Sequence, residues 1–157
     1  MSKRILFIMF ALLSVVAFSN KALANSDVDL NTLSETKEIS GILTRVYMNG
    51  EKQTGQEVTA TVTDNGNGTI DLTLEKFKVG SMPGYISAEA YDIPIKLGNF
   101  NVPVVYDAVK LKIIGTSSFD ASVVGTYNDG NLNFTVHTVD AKYLGIPFEA
   151  IVTFQSK

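Results

Sequence analysis

The stretch TVTDNGNGTIDLTLE, residues 61–75, decides the fold, because apolar and polar residues alternate on both sides of a turn. Val62 before the turn and Leu72 after it are both even-numbered. Residues that pair across an antiparallel hairpin share a face of the sheet, so the two residue numbers of each pair here add up to an even value. An even value requires a loop with an odd number of residues. The stretch therefore predicts a loop at 66–68, with Gly68 as the left-handed residue of a type I turn plus G1 bulge. It also places Val62 opposite Leu72.

A second hairpin is predicted in ASVVGTYNDGNLNFTVH, residues 121–137. Here the apolar residues are odd-numbered before the turn and even-numbered after it, so the loop length must be even. Asp129 and Gly130 fit the two-residue type I′ turn, in which both residues have positive φ. This turn pairs Tyr127 with Leu132.

The same alternation continues along the chain from Glu38 and predicts short antiparallel strands. Pro94 interrupts the fourth of them, which suggests an edge, a bulge or a strand end. In the last strand Ile146, Phe148 and Phe154 share one face. A single apolar face per strand and short turns favour an all-β, eight-stranded antiparallel up-and-down barrel, because closure removes the sheet edges. The predicted strands are 38–48, 56–64, 69–79, 85–96, 104–114, 121–127, 132–139 and 146–155.

Residues 1–24 have the pattern of a secretory signal peptide: MSKR is basic, ILFIMFALLSVVAF is apolar, and ALA precedes Asn25. The apolar run is shorter than the roughly 20 residues that a membrane-spanning helix needs, so removal is expected rather than anchoring. We expect cleavage after Ala24 and a periplasmic or secreted protein. Residues 25–37 lack an apolar period and are expected to form a flexible leader before the domain at 38–157.

The composition excludes several functional classes. The chain has no cysteine, so neither a lipid anchor on cysteine nor disulfides are expected, and the domain must rest on its core. All 16 acidic residues follow position 24, whereas three of the 13 basic residues precede it, so the net charge of residues 25–157 is about −6. We therefore expect no nucleic acid partner. Lys110 and Lys112 alternate with apolar residues and are interpreted as one solvated face of a strand.

The segments ISGILTRVYMNG, VTATVTDNGNGTIDLTLEKFKVG and VVGTYNDGNLNFTV, with the ending IVTF, resemble the calycin-like β-barrel domain of small exported Bacteroidetes proteins. The resemblance covers residues 38–157 and rests on turns and alternating strands. It implies an eight-stranded barrel akin to lipocalins and avidins, in the periplasm or outside the cell. Many members are lipoproteins, and this chain departs from them in having no lipidation cysteine. The family has no catalytic signature that could be transferred to these residues.

Metal and catalytic sites find little support in the sequence. Counted from Asp64 as a calcium loop, Glu75 occupies position 12, but Gly66 and Gly68 occupy ligand positions and offer no side-chain oxygen. Asp71 and Glu75 lie about 13 Å apart along a strand, too far for a glycosidase pair. We therefore expect no calcium, and we interpret both carboxylates as solvated.

His137 is the chain's one histidine, and it alternates outward on a polar face. With no cysteine and no second histidine, a zinc, copper or haem-thiolate site lacks its usual ligands. A serine triad would need a buried histidine, and no nucleophile-elbow motif occurs. We expect no cofactor and no enzymatic activity.

Binding is the remaining prediction, and periodicity leaves open whether the barrel holds a ligand cavity or a filled core. The preferred hypothesis is a small, mostly apolar ligand bound in the open end. The alternatives are a protein-interaction or structural module with a filled core, and an eight-stranded outer-membrane barrel, for which the strands and turns are short. The candidate interior residues are Leu72, Phe134, Val136, Phe148 and Phe154, and the candidate rim tyrosines are Tyr47, Tyr91, Tyr106 and Tyr127.

Overall fold

The computed structural model describes residues 34–157, so the predicted signal peptide and most of the predicted leader lie outside the described residues. The described part is all-β, and eight of its strands close into an antiparallel barrel. The barrel strands are β1 (Glu35–Met48), β2 (Glu57–Asp64), β3 (Thr69–Phe77), β4 (Tyr85–Pro94), β5 (Asn99–Ile113), β6 (Gly115–Asn128), β7 (Asn131–Thr138) and β10 (Ala150–Ser156). The short strands β8 (Lys142–Tyr143) and β9 (Ile146–Pro147) form a separate hairpin between β7 and β10. The predicted fold class is confirmed.

Each barrel strand pairs with its neighbour in the chain, and β1 pairs with β10 to close the wall. This is the up-and-down order that the short turns predicted. Within residues 34–157, no helix is long and apolar enough to cross a membrane.

The registers of both predicted hairpins are confirmed. Val62 lies opposite Leu72, and Tyr127 lies opposite Leu132. Asp129 and Gly130 have φ values of 50° and 84°, as a type I′ turn requires.

The first hairpin nevertheless differs from the prediction in the type of its turn. Gly68 is left-handed at φ 83°, as expected, but Gly66 also has a positive φ of 71°, which a type I turn does not allow at its first position. Two side chains hold this loop, since Asp64 accepts the backbone N–H of Gly66 at 2.8 Å and Asn67 accepts that of Thr69 at 3.0 Å. The odd loop length thus follows from the register, whereas the turn type follows from the two glycines.

Three strands begin at least three residues earlier than the sequence predicted. β1 begins at Glu35, so residues 35–37 belong to a strand and not to the leader, because they pair with β2. β5 and β6 begin at Asn99 and Gly115, earlier than predicted, and pair with each other along a long hairpin. Polar residues at Asn99, Asn101 and Ser117 hid these extensions from a search for alternation.

The last predicted strand is interrupted. Leu144 and Gly145, at φ 52° and 80°, turn β8 onto β9, and Pro147 has no N–H with which to extend a ladder. Ile146 is therefore 66% exposed, in contrast to its predicted inward position, whereas Phe148 is buried as predicted. In β1, a register shift between Leu43 and Arg45 explains why buried residues occur at both odd and even positions.

Candidate functional site

The interior of the barrel is filled by apolar side chains. All five predicted interior residues are buried, namely Leu72, Phe134, Val136, Phe148 and Phe154. Phe134 and Phe154 stack with ring centroids 5.3 Å apart, and Phe148 lies 4.7 Å from Phe119. The sequence thus identified which side chains point inward, but not how much space they leave.

That space is small. One cavity inside the wall has a volume of about 10 Å³, close to the minimum of about 10 to 15 Å³ that a single water molecule needs. Leu72, Phe134 and Val136 border it, whereas Phe148 and Phe154 do not. Of the two outcomes that the sequence left open, the filled core is the one that this geometry favours.

The candidate tyrosines lie outside this cavity. Tyr91 and Tyr106 are 58% and 80% exposed, and Tyr127 is partly buried and packs against the core. The hydroxyl of Tyr91 donates a hydrogen bond to Glu89 at 3.1 Å. The guanidinium carbon of Arg45 lies over the ring of Tyr47, 5.9 Å from the centroid of that ring. Tyr91 on β4 and Tyr106 on β5 lie on neighbouring strands, whereas Tyr47 is on β1, so the four tyrosines do not form one rim.

A gap in the hydrogen-bond ladder between β4 and β5 is the main irregularity of the wall. The ladder runs from Tyr85 opposite Lys112 to Ala88 opposite Val109 and ends there. Beyond that point β4 continues to pair with β3, and β5 continues to pair with β6. We call the unpaired stretch between residues 89–94 and 99–108 the seam.

Two aspartates cause the strands to leave the ladder at the seam. Asp92 on β4 and Asp107 on β5 both have a φ of 53°, a left-handed conformation that breaks the pleat. The carboxylate of Asp71 on β3 accepts the N–H of Asp92 at 2.8 Å, and that of Asp120 on β6 accepts the N–H of Asp107 at 3.0 Å. Each bulge is therefore held by the strand on its far side.

Proline at both strands keeps the seam unpaired. If the register of the ladder continued, Pro94 would lie opposite Pro103, and neither residue has an N–H to donate. Prolines, bulges and charged residues are the devices by which proteins protect free strand edges from pairing with another chain. The seam is thus a protected interruption of the wall.

The small cavity lies directly behind the seam. Its lining includes Ala88 and Ala90 of β4 and Ala108 of β5, all with side chains of one methyl group. Glu89 borders it from the outer face and forms an ion pair of 2.6 Å with Lys110. The hydrogen bond from Lys110 holds the pKa of Glu89 below its usual range, and Glu89 raises the pKa of Lys110. Of this ion pair, Glu89 borders the cavity and Lys110 does not.

A larger cleft lies on the outer wall where the β4–β5 ladder is intact. Its volume is about 340 Å³, within the range of about 300 to 1,000 Å³ that is typical of ligand pockets. It is lined by Lys76, Pro83, Gly84, Tyr85, Ser87, Lys110, Lys112, Ile113 and Thr116. We call it the Tyr85 cleft. The sequence did not reveal it, because its lysines come from two strands that are distant in the chain.

The remaining candidates for chemistry have structural roles. Glu75 accepts the backbone N–H of Thr59 at 2.6 Å, and Asp71 supports Asp92, so neither carboxylate is merely solvated as predicted. His137 lies on the outer face and contacts Glu149 at 2.9 Å. Among residues 34–157, no group of three or more His, Cys, Asp or Glu side chains is placed to hold a metal ion.

Comparison with known proteins adds one finding. The family model of the calycin-like beta-barrel domain matches residues 40–157, which is most of the chain. No match was found among curated proteins or among solved structures. The match agrees with the closed eight-stranded barrel that the structure contains.

Proposed function

Because this chain belongs to the calycin-like β-barrel domain family, we propose that it is an exported, non-catalytic protein that binds a small, mostly apolar ligand at the seam. The observation that carries this proposal is the position of the ladder gap over the interior cavity. The ligand would lie between Ala90 and Ala108 and contact Leu72, Phe134 and Val136 behind them.

Entry at the seam is mechanically easier than entry elsewhere in the wall. Separating two paired strands breaks a ladder hydrogen bond at each step, and an unpaired buried backbone group costs about 1 to 3 kcal/mol. Between residues 89–94 and 99–108 there is no ladder to break. The strands are also supported from their outer neighbours β3 and β6, so they can separate without unfolding.

The chemistry of the seam suits an apolar ligand with one polar group. Alanine methyl groups and the ring of Phe134 would contact an apolar body, which gains about 25 cal/mol for each Å² removed from water. Tyr91 and Tyr106 lie on the outer face of the two strands that flank the seam. Their rings and hydroxyl groups would contact the part of the ligand that remains outside.

Export and the lack of catalysis belong to the same proposal. Export is supported by the signal-peptide pattern of residues 1–24. The lack of catalysis is supported by the imidazole of His137, which is exposed and contacts Glu149. Ser122 lies opposite His137, but its hydroxyl donates to the backbone carbonyl of His137 and not to the imidazole that a serine triad requires.

The filled core keeps the interaction module as the second candidate. A cavity of about 10 Å³ would have to widen before it held any organic molecule. The outer-membrane barrel is not proposed, because outward positions such as Glu89, Lys110 and Thr73 are polar where that class needs an apolar band.

A neutral fluorescent probe tests the seam. Titration of the purified protein with N-phenylnaphthylamine should give saturable binding, which Ala90→Val should weaken by filling the cavity. Ala121→Val is the matched control, since Ala121 is equally buried but does not border the cavity. Native mass spectrometry of the protein from the periplasm should show a copurified small molecule. Absence of both signals would exclude the small ligand and leave the interaction module.

A further inference from the structure

The Tyr85 cleft contains a concentration of positive charge on an acidic protein. The whole chain has a net charge of −3, yet Lys76, Lys110 and Lys112 line this one cleft and Lys78 lies beside it. The lysines come from the end of β3 and from the C-terminal half of β5, which β4 holds side by side. Like charges brought together in this way repel each other unless an anion offsets them.

Tyr85 is the residue that gathers these cations. The ammonium groups of Lys76 and Lys78 lie 5.6 Å and 5.4 Å from the centroid of its ring, within the range of a cation–π contact. Lys112 is its direct cross-strand partner, and such partners have Cβ atoms about 5 Å apart. The ammonium groups of Lys76 and Lys78 therefore lie over one aromatic ring that is 40% exposed, and Lys112 stands beside that ring on the same face of the sheet.

The three lysines around Tyr85 lack carboxylate partners within the described chain. In residues 34–157 the ion pair nearest to the cleft joins Lys110 to Glu89, and no ion pair there involves Lys76, Lys78 or Lys112. Their charge is thus available to a ligand.

The rest of the lining determines what kind of anion fits. Ser87 and Thr116 offer hydroxyl donors, while Pro83, Tyr85 and Ile113 offer apolar surface. A volume of about 340 Å³ is several times that of an inorganic oxyanion, given about 30 Å³ for a water molecule. An anion that filled the cleft would therefore have an organic body.

We propose that the Tyr85 cleft binds a small organic anion in which one carboxylate, sulfate or phosphate group is joined to an apolar or ring-shaped body. The anionic group lies among Lys76, Lys78 and Lys112, and the body packs against Tyr85 and Ile113. This site is separate from the seam, because it lies over the intact part of the β4–β5 ladder. The two proposals can fail independently, because the anionic probe tests the Tyr85 cleft and the neutral probe tests the seam.

A pair of probes that differ by one charged group tests the proposal. Anilinonaphthalene sulfonate has the body of N-phenylnaphthylamine with a sulfonate added. The anionic probe should bind the wild-type protein, and Lys78→Gln combined with Lys112→Gln should weaken that binding about tenfold, which corresponds to about 1.4 kcal/mol. The neutral probe should bind the double variant and the wild type alike.

Three further measurements make the test decisive. Lys96→Gln removes a positive charge at the β4–β5 turn, outside the cleft, and should leave binding of the anionic probe unchanged. Tyr85→Phe keeps the ring and should retain binding, whereas Tyr85→Ala should lose it. Added salt should weaken binding of the anionic probe only. Thermal melts show whether each variant is folded.

The proposal fails under three outcomes. Equal loss of binding in Lys96→Gln would indicate an effect of net charge alone. If the double variant bound the anionic probe as tightly as the wild type does, the lysines would not recognise an anion. Sedimentation with phosphatidylglycerol vesicles, together with no binding of the soluble anionic probe, would indicate a membrane surface as the partner instead.

Discussion

The carboxylate of Asp71 on β3 accepts the backbone N–H of Asp92 on β4 at 2.8 Å, and the same oxygen accepts a hydrogen bond from Asn65 at 3.0 Å. Asp71 thus joins the β2–β3 turn to the bulge that opens the seam. Asp120 holds Asp107 in the same way on the other side. The interruption of the wall is therefore built by side chains of the neighbouring strands, and it can be altered by substitution without touching the core.

Asp71→Ala should destabilise the protein by about 1.5 to 3 kcal/mol, the range for a hydrogen bond to a charged group. The substitution leaves the N–H of Asp92 without its acceptor in the left-handed bulge. Asp71→Asn is the control, because its amide oxygen can still accept the hydrogen bond. This variant should lose less stability than Asp71→Ala. Urea unfolding measures both, and equal stability of the Ala variant and the wild type would show that the carboxylate does not hold the bulge.

The same substitution, glycine to alanine, should act differently at Gly68 and Gly41. At Gly68 an added Cβ meets no atom, so the cost is the left-handed backbone alone, about 1 to 2 kcal/mol. At Gly41 an added Cβ would overlap the carbonyl oxygen of Gln155 and the ring of Phe154, so the cost should be larger.

Thermal unfolding of the two glycine variants tests this order, and a Gly41→Ala variant as stable as Gly68→Ala would contradict it. Calcium titration by calorimetry should show no signal in the wild type or in Gly68→Ala. A calcium signal abolished by a change at Asp64 would instead support a calcium loop.

Phe154→Ala should destabilise the barrel by about 3 to 5 kcal/mol, because it removes a fully buried ring from a stacked pair with Phe134. It should also create an interior cavity that takes up N-phenylnaphthylamine. His137→Ala, on the polar outer face, should change stability by less than about 1 kcal/mol. Urea unfolding separates the two cases, and equal losses would mean that the interior is not the core.

Lys110→Met should remove a stabilising interaction that depends on pH. The hydrogen bond from Lys110 lowers the pKa of Glu89 in the folded state. The stability that Glu89 contributes is therefore present above its pKa in the unfolded chain, and it is lost as the pH falls through its lower pKa in the folded protein. The pKa of Lys110 is raised, so its contribution is lost only as the pH rises through that higher value.

The wild type should therefore exceed Lys110→Met in stability by up to about 1 kcal/mol near pH 7, and by progressively less as the pH falls through the lowered pKa of Glu89. Urea unfolding at neutral pH and at a series of acidic pH values measures the difference. A difference that persisted in acid would mean that the ion pair is not its cause, and that packing of the lysine stem is.

Alternation along the chain was sufficient to predict the fold class, the facing of residues such as Phe134 and Phe154, and the registers of two hairpins. These features depend on neighbouring strands, and a side-chain period of two with the turn length determines them. The early starts of β5 and β6 were missed because polar residues occupy them, and the exposure of Ile146 was missed because its hairpin with β8 depends on Leu144 and Gly145 adopting positive φ.

Only the tertiary structure decided the volume of the interior, the seam and the Tyr85 cleft. Periodicity assigns a face to each side chain but does not measure the space between facing walls, so a filled core and a cavity have the same pattern. The pairs Asp71–Asp92 and Asp107–Asp120, and the lysines around Tyr85, join residues from different strands whose separation in space depends on bulges and register shifts. The sequence by itself determined the calycin-like barrel pattern, and the packing of the strands determined how much space is left inside the barrel and on its outer wall.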